Sequence, residues 1–304
     1  MRVVLAFLVA CTSGIAVGAE ESGPAITALA IAPDGGVITG GQAGISDDRI
    51  PAELSQVHDL VFSPDGMWLV AAGGAPAESG GVEFHSLEQN KPPRRHPELA
   101  ADVIYSAAWS PDGLRVAVGS LDGTCLLLHA ADGAVERTIR GHSRGVTAVA
   151  FLTDELLATA SLDHTIRIWS VGRGELKRTL KNHTAPITGL ALRPDGESSL
   201  PMLVSISPDR TVRLWQPTIG RMVRFVRLDS VPLSVTWTRD GRRLLAGCRD
   251  GNVRVIDPDT IQITHRLKGI PSHAWCLATL PQGQEIVLAG ADGETARLRL
   301  PSGD

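Results

Sequence analysis

The sequence predicts an all-β molecule: seven copies of one small antiparallel sheet, closed into a ring. The first observation behind this is the stretch 142–169 and the run that follows it. Residues 146–151 alternate and are rich in β-branched side chains, 155–161 follow a polar turn, and 165–169 follow a tight corner at Asp163-His164. A fourth run, 176–181, comes after a glycine-containing turn. Each run is strand-sized and too short for an ordinary helix. One such sheet cannot bury both of its faces alone.

The second observation is recurrence. Copies of the template lie at 26–41, 57–74, 104–128, 187–215, 233–256 and 275–300. Most are about 40–47 residues apart, the period of a unit with four short strands that stacks on its neighbours. The first interval is shorter, about 31 residues, so the first sheet is expected to be cut down. The last copy ends near Leu300 with room for three strands. Within the copies, Asp34, Asp65, Asp112, Asp195 and Asp240 each stand in a Pro-Asp-Gly or Arg-Asp-Gly turn, where Asp bonds its own backbone and Gly supplies positive φ. Their regularity is a turn requirement and does not indicate a carboxylate site.

Between copies, 73–84 (rich in Gly, Pro and Ser) reads as a flexible loop inserted at a corner of the second unit. Residues 91–98, Lys-Pro-Pro-Arg-Arg-His-Pro-Glu, read as a polyproline-like connection. Both are length variations of the kind loops tolerate.

The fourth copy contains Gly141-His142, Ser161, Asp163 and Trp169 at fixed places, and the fifth repeats them as His183, Ser207, Asp209 and Trp215, with Asn182 in place of the glycine. This pattern resembles the WD-repeat β-propeller family, over nearly everything after residue 25. The resemblance implies a seven-bladed propeller of four-stranded antiparallel blades, its first and last blades incomplete. It also implies a buried relay in which the Asp accepts from the His ring, the ring bonds the Ser hydroxyl, and the hydroxyl bonds the indole N–H, so that every buried polar group has a partner. Elsewhere the relay is partial. Ser120 and Asp122 remain in blade three beside Ala100 and Leu128, Asp250 in blade six beside Cys248 and Ile256, and Asp292 alone in blade seven.

The same resemblance points to one rim of the ring as the docking face. Carried over place by place, it selects Gln56, His58, Tyr105, Leu233, Arg249, His273 and Trp275, and mostly small residues on blades four and five. The chain's one Tyr and one of its six Trp fall in this set, with Arg beside them, a composition typical of interaction hot spots. Blades six, seven, two and three are therefore expected to hold an unidentified protein partner, with Tyr105 and Trp275 as plugs of the channel mouth the competing reading.

Composition narrows the function classes. A formal charge of −4, with no basic run and no basic-aromatic platform, gives no reason to expect nucleic acid. No nucleophile elbow, zinc-protease motif, phosphate loop or haem-attachment motif occurs, and no cofactor or metal is expected. The alternative class, an enzyme using a metal or redox cofactor in the central channel, would need His or acidic residues converging there, and few are on offer. Residues 1–19, with Arg2, an apolar run and the small residues Val17-Gly18-Ala19, follow a secretory signal pattern, and no membrane insertion is expected after cleavage. Two processing routes stay open, cleavage after Ala19 and lipidation of Cys11, as does a third reading in which residues near 15–20 form a strand. Export to a periplasmic or extracellular site, with residues 20–304 as a monomeric propeller, is the expectation. Cys125, Cys248 and Cys276 lie in predicted strands, where free Cys behaves as a small apolar group.

Overall fold

A computed structural model describes residues 23–47, 50–88, 91–194 and 200–301. Cys11 and Ala19, with the rest of the expected signal segment 1–19, lie outside them. Seven antiparallel sheets follow one another along the chain. Blade one is β1 (Ile26–Ile31), β2 (Val37–Gly41) and the two-residue β3 (Gly44–Ile45). Blade two is β4 (Val57–Phe62), β5 (Trp68–Ala75), β6 (Ser79–Ser86) and β7 (Arg94–Ala100). Blade three is β8 (Ile104–Trp109), β9 (Arg115–Ser120), β10 (Thr124–His129) and β11 (Val135–Arg140). Blade four is β12 (Val146–Thr153), β13 (Leu156–Ser161), β14 (Ile166–Ser170) and β15 (Leu176–Leu180). Blade five is β16 (Gly189–Leu192), β17 (Leu203–Ser207), β18 (Thr211–Gln216) and β19 (Arg221–Arg227). Blade six is β20 (Pro232–Trp237), β21 (Leu244–Cys248), β22 (Val253–Ile256) and β23 (Ile263–Leu267). Blade seven has three strands, β24 (Ala274–Thr279), β25 (Glu285–Gly290) and β26 (Thr295–Arg299).

The first strand of each blade touches the first strand of the next, and β24 touches β1, which closes the ring. Between successive blades lie apolar clusters that neither blade could bury alone. Ala117, Cys125 and Leu127 of blade three, for example, pack on Val146, Val149 and Phe151 of blade four. Full burial of a Leu, Val or Phe side chain contributes about 1.5–3 kcal/mol, so the stacking of blades carries the stability. Cys125, Cys248 and Cys276 are free and buried in these layers.

The first and last blades are incomplete, as the spacing predicts. Gly23 and Pro24 lie against the Asp292-Gly293 corner of blade seven, and the chain then enters β1 without pairing with β26. The aspartate turns behave as read: Ser63, Ser110 and Thr238 donate to Asp65, Asp112 and Asp240, and Gly66, Gly113 and Gly241 sit at φ +72°, +71° and +64°.

Two expectations are corrected. Residues 73–84 are not a flexible loop: β5 and β6 stay paired out to Ala75 opposite Ser79, extending the hairpin. Its glycines are dictated by close approach, because a Cβ on Gly73 or Gly80 would meet the backbone of Gln56 or Asp102. Residues 91–98 are not a polyproline connection either, since Arg94–Ala100 is the outer strand of blade two. Pro97 is tolerated there because an edge strand leaves half of its N–H groups unneeded.

The relay and the channel mouth

The relay is present in blades four and five, but with a different hydroxyl. The His142 Nδ1–H donates to Asp163 Oδ2 at 2.8 Å, while His142 Nε2 accepts from Thr159 Oγ1 at 2.7 Å and the Trp169 indole N–H donates to the same oxygen at 2.8 Å. In blade five Ser205 does this for His183 and Trp215, at 2.7 and 2.8 Å, and His183 meets Asp209 at 2.8 Å. Ser161 and Ser207, expected in that role, stand two residues further along the same strand face and serve the corner. Ser161 donates to the Arg144 carbonyl and accepts from the Asp163 N–H, and Ser207 accepts from the Asp209 N–H. Residues two apart in a strand share a face, so both hydroxyls point the same way and the indole's reach decides between them.

Burial alone would raise the Asp163 and Asp209 carboxyls. Hydrogen bonds from His142 and Thr165, and from His183 and Thr211, outweigh it and hold both well below the ordinary carboxylate range. Burial lowers His183, although Asp209 opposes the shift.

In the other complete blades the three buried partners are replaced together. Blade three has Ala100, Val118 and Leu128 at the His, hydroxyl and Trp places, and blade six has Leu228, Ala246 and Ile256. Replacing every partner at once leaves no buried group unpaired. The corner Asp of blade six then takes another partner. Buried Arg254 bonds Asp250 Oδ2 at 2.6 Å and Asp229 Oδ1 at 2.8 Å. Against the effect of burial, this holds both carboxyls low and the guanidinium high. Blade two places His85 where the Trp stands, on buried Glu83 at 3.0 Å.

The mouth residues are positioned by two recurring backbone devices. In six blades the first strand carries a β-bulge near its start, and the unpaired residues are Thr27, His58, Tyr105, Thr147, Leu233 and Trp275. A bulge re-aims its side chain away from the regular alternation. Thr27 and Thr147 use it to donate to the Val57 and Ile187 carbonyls of the next blade; His58, Tyr105, Leu233 and Trp275 remain half-buried. The second device is an N–H from the residue before the corner Asp to the carbonyl two residues ahead of the bulge, as in Arg249 to Val231, Leu121 to Val103 and Leu162 to Gly145. It places Arg249 on the same rim as the residues Gln56 and His273, which hold the Val231 place in their own blades.

Two groups result. His58 and Tyr105 stack with ring centroids 4.5 Å apart across blades two and three. Burial brings His58 down to about 4 and pushes the Tyr105 hydroxyl up, so both are neutral near pH 7. Across blades six and seven, the Arg249 Nε–H donates to His273 Nε2 at 3.3 Å, and His273 lies 6.3 Å from the Trp275 ring. Blade one, with Thr27 at its bulge, stands between the two groups. Gln56 and Leu233 flank them without a side-chain hydrogen bond among the described residues. The large apolar side chains that are most exposed lie elsewhere: Met67, Leu87, Leu114, Leu200 and Ile219 are on turns of the opposite rim, and Val135, Leu176 and Phe225 are on outer strands. Among the described residues no three His, Cys, Asp or Glu side chains gather as a metal site would need, and no helix is long and apolar enough to cross a membrane.

Sequence reasoning missed a repeated contact on the outer edge. Arg137 donates to the Gly172 carbonyl at 2.9 Å, Arg178 to Thr218 at 2.9 Å, and Arg224 to Pro258 and Asp259. Each is an outer-strand Arg clasping the turn before the outer strand of the next blade. The signal was available, since all three occupy an Arg-x-apolar pattern ending at Ile139, Leu180 and Val226.

Four stretches of the chain, 94–127, 133–170, 174–216 and 228–257, match the WD40 repeat, described as WD domain, G-beta repeat. The chain carries WD repeats. With the seven-bladed ring, these matches support the WD-repeat β-propeller family. The first three matches each begin on the outer strand of one blade, or on the turn before it, and run through three strands of the next, so the WD-repeat unit is staggered against the blade. No curated protein matches the chain significantly.

Proposed function

We propose that this WD-repeat propeller is a non-catalytic scaffold that docks a protein partner on the rim bearing His58, Tyr105, Arg249, His273 and Trp275, and that it works outside the cytoplasm. Propellers with WD repeats commonly mediate protein contacts, and a fold alone does not fix a function. The observation that carries the reading is the bulge: it turns Tyr105 and Trp275 out of the regular alternation, leaving two of the chain's largest side chains half-buried at a rim. Aromatic anchors with an adjacent Arg are what interface centres use. The signal-like pattern of residues 1–19 supports export.

The test compares two sets of variants in cross-linked capture from envelope and cytosolic fractions. Tyr105→Ala with Trp275→Ala is expected to lose a partner that Leu114→Ser with Ile219→Ser, on the opposite rim, retains. Equal capture by both sets sinks the docking face. A melting temperature lowered by the Tyr105 and Trp275 changes supports the plug reading instead. N-terminal sequencing of the mature protein checks export, and a chain beginning at Met1 overturns it.

A further inference from the structure

The Arg249–His273–Trp275 group has a property that the rest of the mouth lacks: its free polar atoms are all donors. His273 Nε2 accepts the Arg249 Nε–H, which leaves Nδ1 as the ring nitrogen that donates. Arg249 spends one of its five N–H groups in this way. Its two terminal nitrogens have no partner among the described residues, and Arg249 is exposed. The Trp275 indole N–H is likewise without a partner there.

The acids on the same rim do not fill this vacancy in acceptors. Asp229 and Asp250 are both held by Arg254, Asp229 also by Arg266 at 3.5 Å. Asp292 stands at the other side of blade seven, over Gly23. Beside His273, the Ser272 hydroxyl is nine-tenths buried and has no partner of its own. A planar guanidinium with both terminal nitrogens free takes a carboxylate in two parallel hydrogen bonds. The apolar surface next to it, Leu233 and the face of Trp275, suits an apolar side chain.

We infer that Arg249, His273 and Trp275 form a receptor for a carboxylate carried next to an apolar side chain on an extended polypeptide. This deepens the docking proposal and rests on it. The partner is thus acidic and apolar at its point of contact. The other half of the mouth, His58 on Tyr105, carries no charge.

The probes are two peptides, N-acetyl-Asp-Phe-Asp-amide and its Asn-Phe-Asn analogue, titrated into the full chain. The readout is the indole N–H resonance of Trp275, assigned by its disappearance in Trp275→Phe. The Asp peptide is expected to move that resonance saturably and the Asn peptide to bind at least tenfold more weakly. Arg249→Gln is expected to erase the difference, and Arg249→Lys to keep part of it, because a point charge replaces the fork. Equal binding of both peptides to the unaltered chain overturns carboxylate recognition and leaves the docking face standing. No movement with either peptide overturns the receptor itself, while the capture experiment judges the docking face separately.

Discussion

Thr159 accepts the Trp169 indole N–H and bonds the His142 ring, and Ser161, one pleat away, bonds only backbone. Thr159→Val strands two buried groups, each worth about 1–3 kcal/mol when left unpaired, so a loss of about 2–4 kcal/mol is expected in urea unfolding. Ser161→Ala exposes backbone groups that water at the rim can reach, and about 1 kcal/mol or less is expected. The reverse ranking sinks this assignment of the relay. The sequence held the clue. Where the His and Trp are absent, in blade three, the hydroxyl at Ser120 persists and the one at the Thr159 place has become Val118, so the group that varies with the His and Trp is the group that serves them. A single copy read alone, with hydroxyls two apart on one face, cannot separate them. Asp59 was not legible at all. It lies in the wall between blades two and three, accepting from the Ala107 and Leu60 N–H groups, and burial outweighs those bonds and raises its carboxyl to about 6. A carboxyl raised on folding contributes stability while protonated, and loses it as pH climbs from 3.8 toward 6. At about 1.4 kcal/mol per pH unit the ceiling is about 3 kcal/mol. Asp59→Asn keeps an acceptor and removes the titration, so its stability relative to the unaltered chain is expected to rise between pH 4 and 6. Parallel curves overturn this. Asp163, Asp209 and His183, all lowered, act in the opposite sense and lose stability as pH falls.

At the scale of elements, the number of strands and their turns were readable because period-two alternation and Pro-Asp-Gly turns are local signals. The hairpin β5–β6 was misread because its glycines look like loop composition, although close backbone approach demands them. Arg94–Ala100 was misread because two prolines precede it and one interrupts it. The bulges were not legible, because Thr, His, Tyr, Leu and Trp all occupy the bulged place and no residue type marks it. The outer-strand Arg contacts offer a separable test. Arg137, Arg178 and Arg224 clasp three different blade interfaces, so substitution by Met keeps the aliphatic stem and removes the clasp, one hydrogen bond at Arg137 and at Arg178 and two at Arg224. About 0.5–1.5 kcal/mol is expected from each, and the three are expected to add, because sites without shared partners are independent. Strong non-additivity in the triple variant overturns the view of three separate clasps.

The ring's ends meet at β1 and β24, yet among the described residues its last blade has three strands and no outer one. In blades three to six the third strands β10, β14, β18 and β22 are largely buried, covered by β11, β15, β19 and β23. The equivalent strand β26 alternates between exposed and half-buried, with Thr295, Arg297 and Arg299 outward. Arginines on such an edge guard against pairing with another chain, which is a reason for a three-stranded blade to persist. Amide hydrogen exchange reads this directly, since protection follows hydrogen bonding and burial. In a chain that begins at Glu20, β26 is expected to exchange like the exposed outer strands β15 and β19, and markedly faster than β14 and β18. The same measurement on a chain beginning at Met1 tests whether residues 1–19 cover this edge. Protection of β26 equal to that of β14 in both chains means that this edge is covered, and the three-strand description of blade seven falls. Protection only in the longer chain assigns the covering strand to the first nineteen residues, in which case cleavage after Ala19 would leave the outer edge of blade seven bare.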